Sequence, residues 1–262
     1  MSRYLAFSYV FTLLCLLLGA PFLLYKVARR ARGSALSIAH GVMLGIGVDV
    51  VVLLPVGAAL LFSGGLGVPG VAGLPLLALE GALSAVAIEG IRALLLAHVS
   101  TRVRSARAAV HFGLGWGCGI AWFKGLSLLI ALRGFLYEDL RQGMDLLSGA
   151  GQELARSLLE QQRAYLLEAP PLRPPLEHVL QYGFDAFFHL AFTIMIVRTW
   201  THGERGAWLR AAGLHAALAG STRLVFGSWP GWGGLLAALV LQASLVGPTW
   251  RWMARQIVRP EP

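Results

Sequence analysis

Residues 74–99 read LPLLALEGALSAVAIEGIRALLLAHV, and this stretch decides what kind of protein the chain is. Of its 26 positions only Glu80, Glu89, Arg92 and His98 are ionisable, and Arg102, Arg104 and Arg107 follow directly. As a helix the run is about 39 Å long, more than the roughly 30 Å of a bilayer's hydrocarbon core. The pattern recurs along the chain. Apolar runs of about 20 residues also occupy 4–25, 35–62, 108–132, 179–197, 208–226 and 233–253, which predicts about seven spans. The second is long enough to tilt, or to bend at Pro55.

Composition agrees with this reading. The 262 residues are 56% hydrophobic and only 13% charged, and the mean hydropathy is +0.66. An ordinary soluble domain carries about 25% charged residues. So apolar a chain is not disordered. Its two cysteines, Cys15 and Cys118, lie in apolar stretches and form no disulfide framework. The net charge of +9 would fit a nucleic-acid partner if the basic residues shared a face. They cluster instead at the ends of apolar segments, so no nucleic-acid partner is expected. The expected fold class is all-α, a polytopic transmembrane helix bundle. Residues 1–262 form one integral membrane domain of the cell membrane, with lipid as its first partner.

The basic clusters orient the bundle. Lys26, Arg29, Arg30 and Arg32 follow the first span, and Arg102, Arg104 and Arg107 follow the third. Arg198, Arg205 and Arg210 follow the fifth, and Arg251, Arg255 and Arg259 close the seventh. The short loops 63–73 and 227–232 contain no basic residue. The positive-inside rule then places the N-terminus outside and the C-terminus inside. A cleaved signal peptide is the competing reading of the first 25 residues. It lacks a basic start beyond Arg3 and a small-x-small cleavage site. An external loop, 133–178, joins spans four and five. Leu154, Leu158 and Tyr165 recur there at helical spacing, predicting an amphipathic helix, and the run Ala169 to Pro175 predicts a stiff connector.

Ionisable groups inside a span are costly and normally face the bundle interior. Counting from the basic ends puts Glu89 about 15 Å deep, His189 about 12 Å and His215 about 10 Å. Three spans therefore bring these residues to similar depth, with Arg92 one turn from Glu89 as its ion-pair partner. Further out, Asp49 and Asp185 fall near the midplane, and Asp185 shares a helix face with His189. Glu80 and Lys124 fall at depths that allow them to pair. One carboxylate with two imidazoles can hold a divalent metal with an open position. The same set can activate water as a general base with an imidazole at the oxyanion, and it can equally be a polar core that fixes helix packing. Spacing alone leaves these open, and no separate cofactor is indicated.

The order of the polar elements resembles a known superfamily. Ile88-Glu89-Gly90-Ile91-Arg92 on the third span precedes Ala109-Val110-His111-Phe112-Gly113-Leu114-Gly115-Trp116-Gly117 on the fourth. Phe184-Asp185-Ala186-Phe187-Phe188-His189-Leu190 and Gly213-Leu214-His215-Ala216-Ala217-Leu218 follow on the fifth and sixth. Over about residues 1–250 this is similar to the YhfC family of glutamic-type intramembrane proteases, relatives of PrsW and the CAAX-processing proteases. The resemblance implies a multi-pass peptidase with Glu89, His189 and His215 as catalytic candidates. The departures are equally specific. The family's EExxR has a first Glu where this chain has Ile88, and its GxGHG has a His where this chain has Trp116. Ile120 stands for the family's following Glu, and Gly220 lies where an Asp is common. Isoleucine and tryptophan cannot accept a proton as a base does.

A single Glu before xxR with two later histidines also resembles the anterior-pharynx-defective subunit of gamma-secretase, a scaffold. The resemblance thus implies a protease-family membrane protein with altered or lost peptidase activity. The alternative is a silent scaffold that binds a transmembrane peptide or partner helices. A small-solute carrier or channel is a third class, disfavoured because inverted repeats are absent from the sequence.

Overall fold

Leucine and alanine dominate residues 74–99, and both are strong helix formers. Pro75 falls in the first turn, where its missing N–H removes no helical bond. In the computed structural model this stretch is one unbroken helix, Leu74–Val99. The structure describes residues 35–53, 74–99, 105–137, 173–204, 206–229 and 231–258, together with residue 160 and scattered positions between 10 and 26.

Six long helices and no strand are present among the described residues. They are α1 (Ala35–Val48), α2 (Leu74–Val99), α3 (Ala106–Tyr137), α4 (Arg173–Thr201), α5 (Ala207–Ser228) and α6 (Trp232–Val258). The described residues are all-α; the third to seventh apolar runs each fall on one of these helices, and the second begins on α1, its residues beyond 53 lying outside the described ones. The first falls largely outside the described residues; Cys15–Gly19 within it is a π-helical turn. Two stretches, Leu180–Thr199 and Trp232–Arg255, are long and apolar enough to cross a membrane, and Ala35–Val51 is a shorter apolar helix.

Two boundaries differ from expectation. α3 continues to Tyr137 and α4 begins at Arg173, so helix takes both ends of the expected 133–178 loop. Pro174 and Pro175 belong to the first turn of α4 rather than to a connector, because a first turn tolerates the loss of N–H groups that have no partner there anyway. Leu154, Leu158 and Tyr165, the expected amphipathic helix, lie outside the described residues.

α3 is the spine. It packs on α1 along one side and on α4 along the other, while α2 packs mainly on α5 and α6 leans on α4 and α5. Glycines set how close these helices come. A Cβ added at Gly115 would collide with the Ile38 carbonyl oxygen, and one at Gly119 with that of Val42. On α1, Gly41 and Gly45 answer them, pressed against the backbone of Phe112 and Trp116. Gly113 and Gly117 lie on the other face of α3, against Thr193 and Ala186 of α4. Two four-residue glycine ladders, offset by two residues, thus let α3 contact both neighbours backbone to backbone.

Polarity is distributed unlike that of a soluble protein, with large apolar side chains on the outside and a charged cluster buried within an apolar core. Met43 is 71% exposed and Val240 69%, whereas Glu89, Arg92 and His111 have no exposed surface at all. Large apolar side chains stand outward on every helix from α1 to α6.

Candidate functional site

α2, α4 and α5 meet around one buried polar group of four side chains. Arg92 lies one helical turn after Glu89, so its guanidinium folds back onto the carboxylate. Arg92 Nη1 donates to Glu89 Oε2 at 2.9 Å. Across the interface Arg92 Nη2 lies 2.6 Å from His189 Nδ1, and Nη1 also reaches the His189 carbonyl at 3.4 Å. The same carbonyl accepts the Thr193 hydroxyl at 2.8 Å. His215 of α5 completes the group, its Nδ1 2.7 Å from Glu89 Oε1.

These contacts fix the proton positions. Guanidinium only donates, so His189 Nδ1 is the acceptor and its ring proton sits on Nε2. Glu89, in its ion pair with Arg92, accepts on both oxygens, so His215 donates through Nδ1. The two imidazoles meet edge to face with centroids 5.1 Å apart. Phe192 stacks on His215, with ring centroids 4.9 Å apart, and so restrains that ring. Trp116 of α3 lies over the other side of the group, its ring 4.4 Å from the Arg92 guanidinium carbon. Trp116 is fully buried, and a planar cation on an indole face is a favourable contact once both are desolvated.

The three residues expected at equal depth are therefore brought together, and Arg92 with them. The ligand atoms of Glu89, His189 and His215 all lie within 4.8 Å of one another. A tetrahedral zinc with bonds of about 2.0–2.2 Å draws its ligand atoms to about 3.3–3.6 Å. Here His189 Nδ1 and Glu89 Oε1 are 4.0 Å apart, and Arg92 occupies both residues. As the side chains stand, a tethered guanidinium fills the role a metal cation would take, and this set does not fit a metal unless Arg92 withdraws.

A cavity of about 120 Å³ adjoins the group. His189, His215 and Ile88 line it, as do Asp49, Lys124 and Asp185, while Glu89 and Arg92 do not. Asp185 and His189 thus share a face as their spacing predicts. The expected pairing of Glu80 with Lys124 does not form. Glu80 pairs with Arg223, and Lys124 lies 3.8 Å from Asp185. Equal depth did not make them neighbours, because α2 faces α5 whereas α3 faces α4.

Two features escaped the sequence reading. The sequence marks Trp116 as replacing a histidine and as filling space at the site, but not as the lid on Arg92. The Gly41, Gly45, Gly113, Gly115, Gly117 and Gly119 spacing was visible as a small-xxx-small signal and would have placed α1, α3 and α4 side by side.

No family model, curated protein or solved structure matches the chain. The residues and their geometry carry the functional argument.

Proposed function

We propose that this chain is a multi-pass membrane protein of about seven spans, N-out and C-in. In our reading it derives from the YhfC-like glutamic intramembrane proteases and has lost peptidase activity. Its polar group serves as a clasp between helices, and the protein acts as a membrane scaffold that receives a transmembrane peptide or partner helix. The membrane assignment rests on exposed leucine, valine and methionine around a core that buries a charged cluster, on helices of 22 to 32 residues from α2 to α6, and on the one-sided basic clusters.

One observation carries the loss of activity: Ile88 lines the cavity, whereas Glu89 has no exposed surface. Hydrolysis requires a base in contact with the attacking water and donors at the developing oxyanion. Position 88 is where the family pattern has its first glutamate, and here it presents only hydrocarbon to the cavity. The remaining carboxylate is turned away, with Arg92 on one oxygen and His215 on the other. Removing either partner of such a pair leaves a buried charge unmatched, at a cost of about 3–5 kcal/mol. This makes the group a strong constraint on how α2, α4 and α5 pack.

The test is cleavage. The full chain, purified in nanodiscs and incubated with a panel of transmembrane peptides, should produce no fragments above those from Glu89→Gln. Crosslinking of an intact peptide to the bundle without cleavage is the positive result for the scaffold.

A further inference from the structure

The cavity beside the clasp holds groups that the clasp does not use. Asp49 sits where α1 widens into the π-helical turn Asp49–Leu53, a distortion that recurs at functional positions. Its side chain is 2% exposed and lines the cavity, and Oδ2 has no hydrogen-bond partner in the protein. Two hydroxyls lining the same cavity, Ser84 Oγ of α2 and Thr222 Oγ1 of α5, are likewise buried and unpartnered. Three oxygens from three elements line one cavity, each without a hydrogen-bond partner in the protein.

The charges of the lining do not cancel. Asp49 and Asp185 face a single ammonium, Lys124, whose nearest carboxylate oxygen is Asp185 Oδ2 at 3.8 Å. Arg223 also lines the cavity but is taken by Glu80. Asp49, Asp185 and Lys124 alone sum to one negative charge, and Asp49, at 2% exposure, is where an unmatched charge is costly.

We propose that this cavity is a binding site for one monovalent alkali cation. Asp49 supplies the charge, and Ser84 and Thr222 supply neutral oxygens. A hard cation takes oxygen ligands, and all three groups are oxygens. A single positive charge balances the lining, whereas a divalent ion would reverse the imbalance. A proton on Asp49 would cancel the charge too, but it would leave both hydroxyls without partners. A cation with a retained water satisfies all of them at once. Lys124 limits the site to weak, exchangeable binding by repelling the ion from the Asp185 side.

The experiment uses the full chain in detergent at fixed pH and fixed ionic strength, with choline chloride replaced stepwise by sodium or potassium chloride. Thermal unfolding should shift upward with the logarithm of ion concentration above Kd, reaching roughly 5 °C at a hundredfold excess over Kd. Asp49→Asn should abolish the shift. Thr222→Val, which keeps the side-chain shape, should weaken the apparent affinity about tenfold and keep the protein folded if Asp49→Asn does not. Sodium-23 NMR line broadening by the wild-type chain reports the bound ion directly. The proposal is overturned if neither alkali ion shifts unfolding, or if the shift survives in both variants. Stabilisation by acid alone in choline, or by calcium in preference to sodium, overturns it equally.

Discussion

Arg92 and His189 are separated by 97 residues, yet their side chains meet at 2.6 Å inside a bundle with no solvent in reach of the guanidinium. This contact determines the histidine tautomer and ties α2 to α4. It also leaves Glu89 on the closed side of the interface. The clasp depends on the planar fork of arginine, which spans two partners on two helices.

Arg92→Met should therefore lower stability by about 3–5 kcal/mol, since it strands the Glu89 charge. Arg92→Lys should recover little of this loss, because an ammonium cannot reproduce the fork or the stack on Trp116. Removing both charges in Arg92→Met with Glu89→Leu should recover most of it. Thermal unfolding of the four proteins in one detergent checks the series. Equal stability of Arg92→Met and wild type would exclude the clasp.

The α1–α3 contact depends on the absence of side chains. Gly119→Leu should separate the helices and cost at least about 2 kcal/mol, as other overpacked sites do. Gly47 has nothing within 4 Å of an added Cβ, so Gly47→Ala should stabilise its helix by about 0.5–1 kcal/mol. Opposite signs for the two substitutions, measured by thermal unfolding, are the expected outcome. A harmless Gly119→Leu would refute the close contact.

Partner choice among the ions of the bundle is testable by double-mutant cycles. Glu80→Gln and Arg223→Gln should couple by about 0.5–1 kcal/mol, a modest value because Arg223 is partly exposed. Glu80→Gln and Lys124→Gln should be additive.

How much of this was legible in the sequence follows from what each signal measures. The bounds of α2 were readable because apolar residues fill it and arginines close it. Depth counting correctly brought Glu89, His189 and His215 to one level. It could not say which helices are neighbours, so Glu80 and Lys124 were paired by height and proved to face different helices. The start of α4 was missed because a proline pair is equally a connector or a helical first turn. That Ile88 rather than Glu89 faces the cavity is a matter of helix rotation, and the weak amphipathicity of α2 leaves that rotation unmarked in its sequence.

The topology has its own test. With Cys15 and Cys118 replaced, a cysteine at position 148 should label from outside whole cells, and one at Thr201 should not. The reverse pattern would invert the bundle and remove the positive-inside argument.

The central claim is that the clasp has displaced catalysis, and cleavage of transmembrane peptides measures it most directly. Wild type, Glu89→Gln and Ile88→Glu should be compared in nanodiscs at matched folded amounts. The account predicts the same background for wild type and Glu89→Gln, with Ile88→Glu, which sets a carboxylate against the cavity beside both histidines, as the only one of the three placed to exceed it. Fragments produced by wild type and lost in a folded Glu89→Gln would contradict the account and make Glu89 a working base.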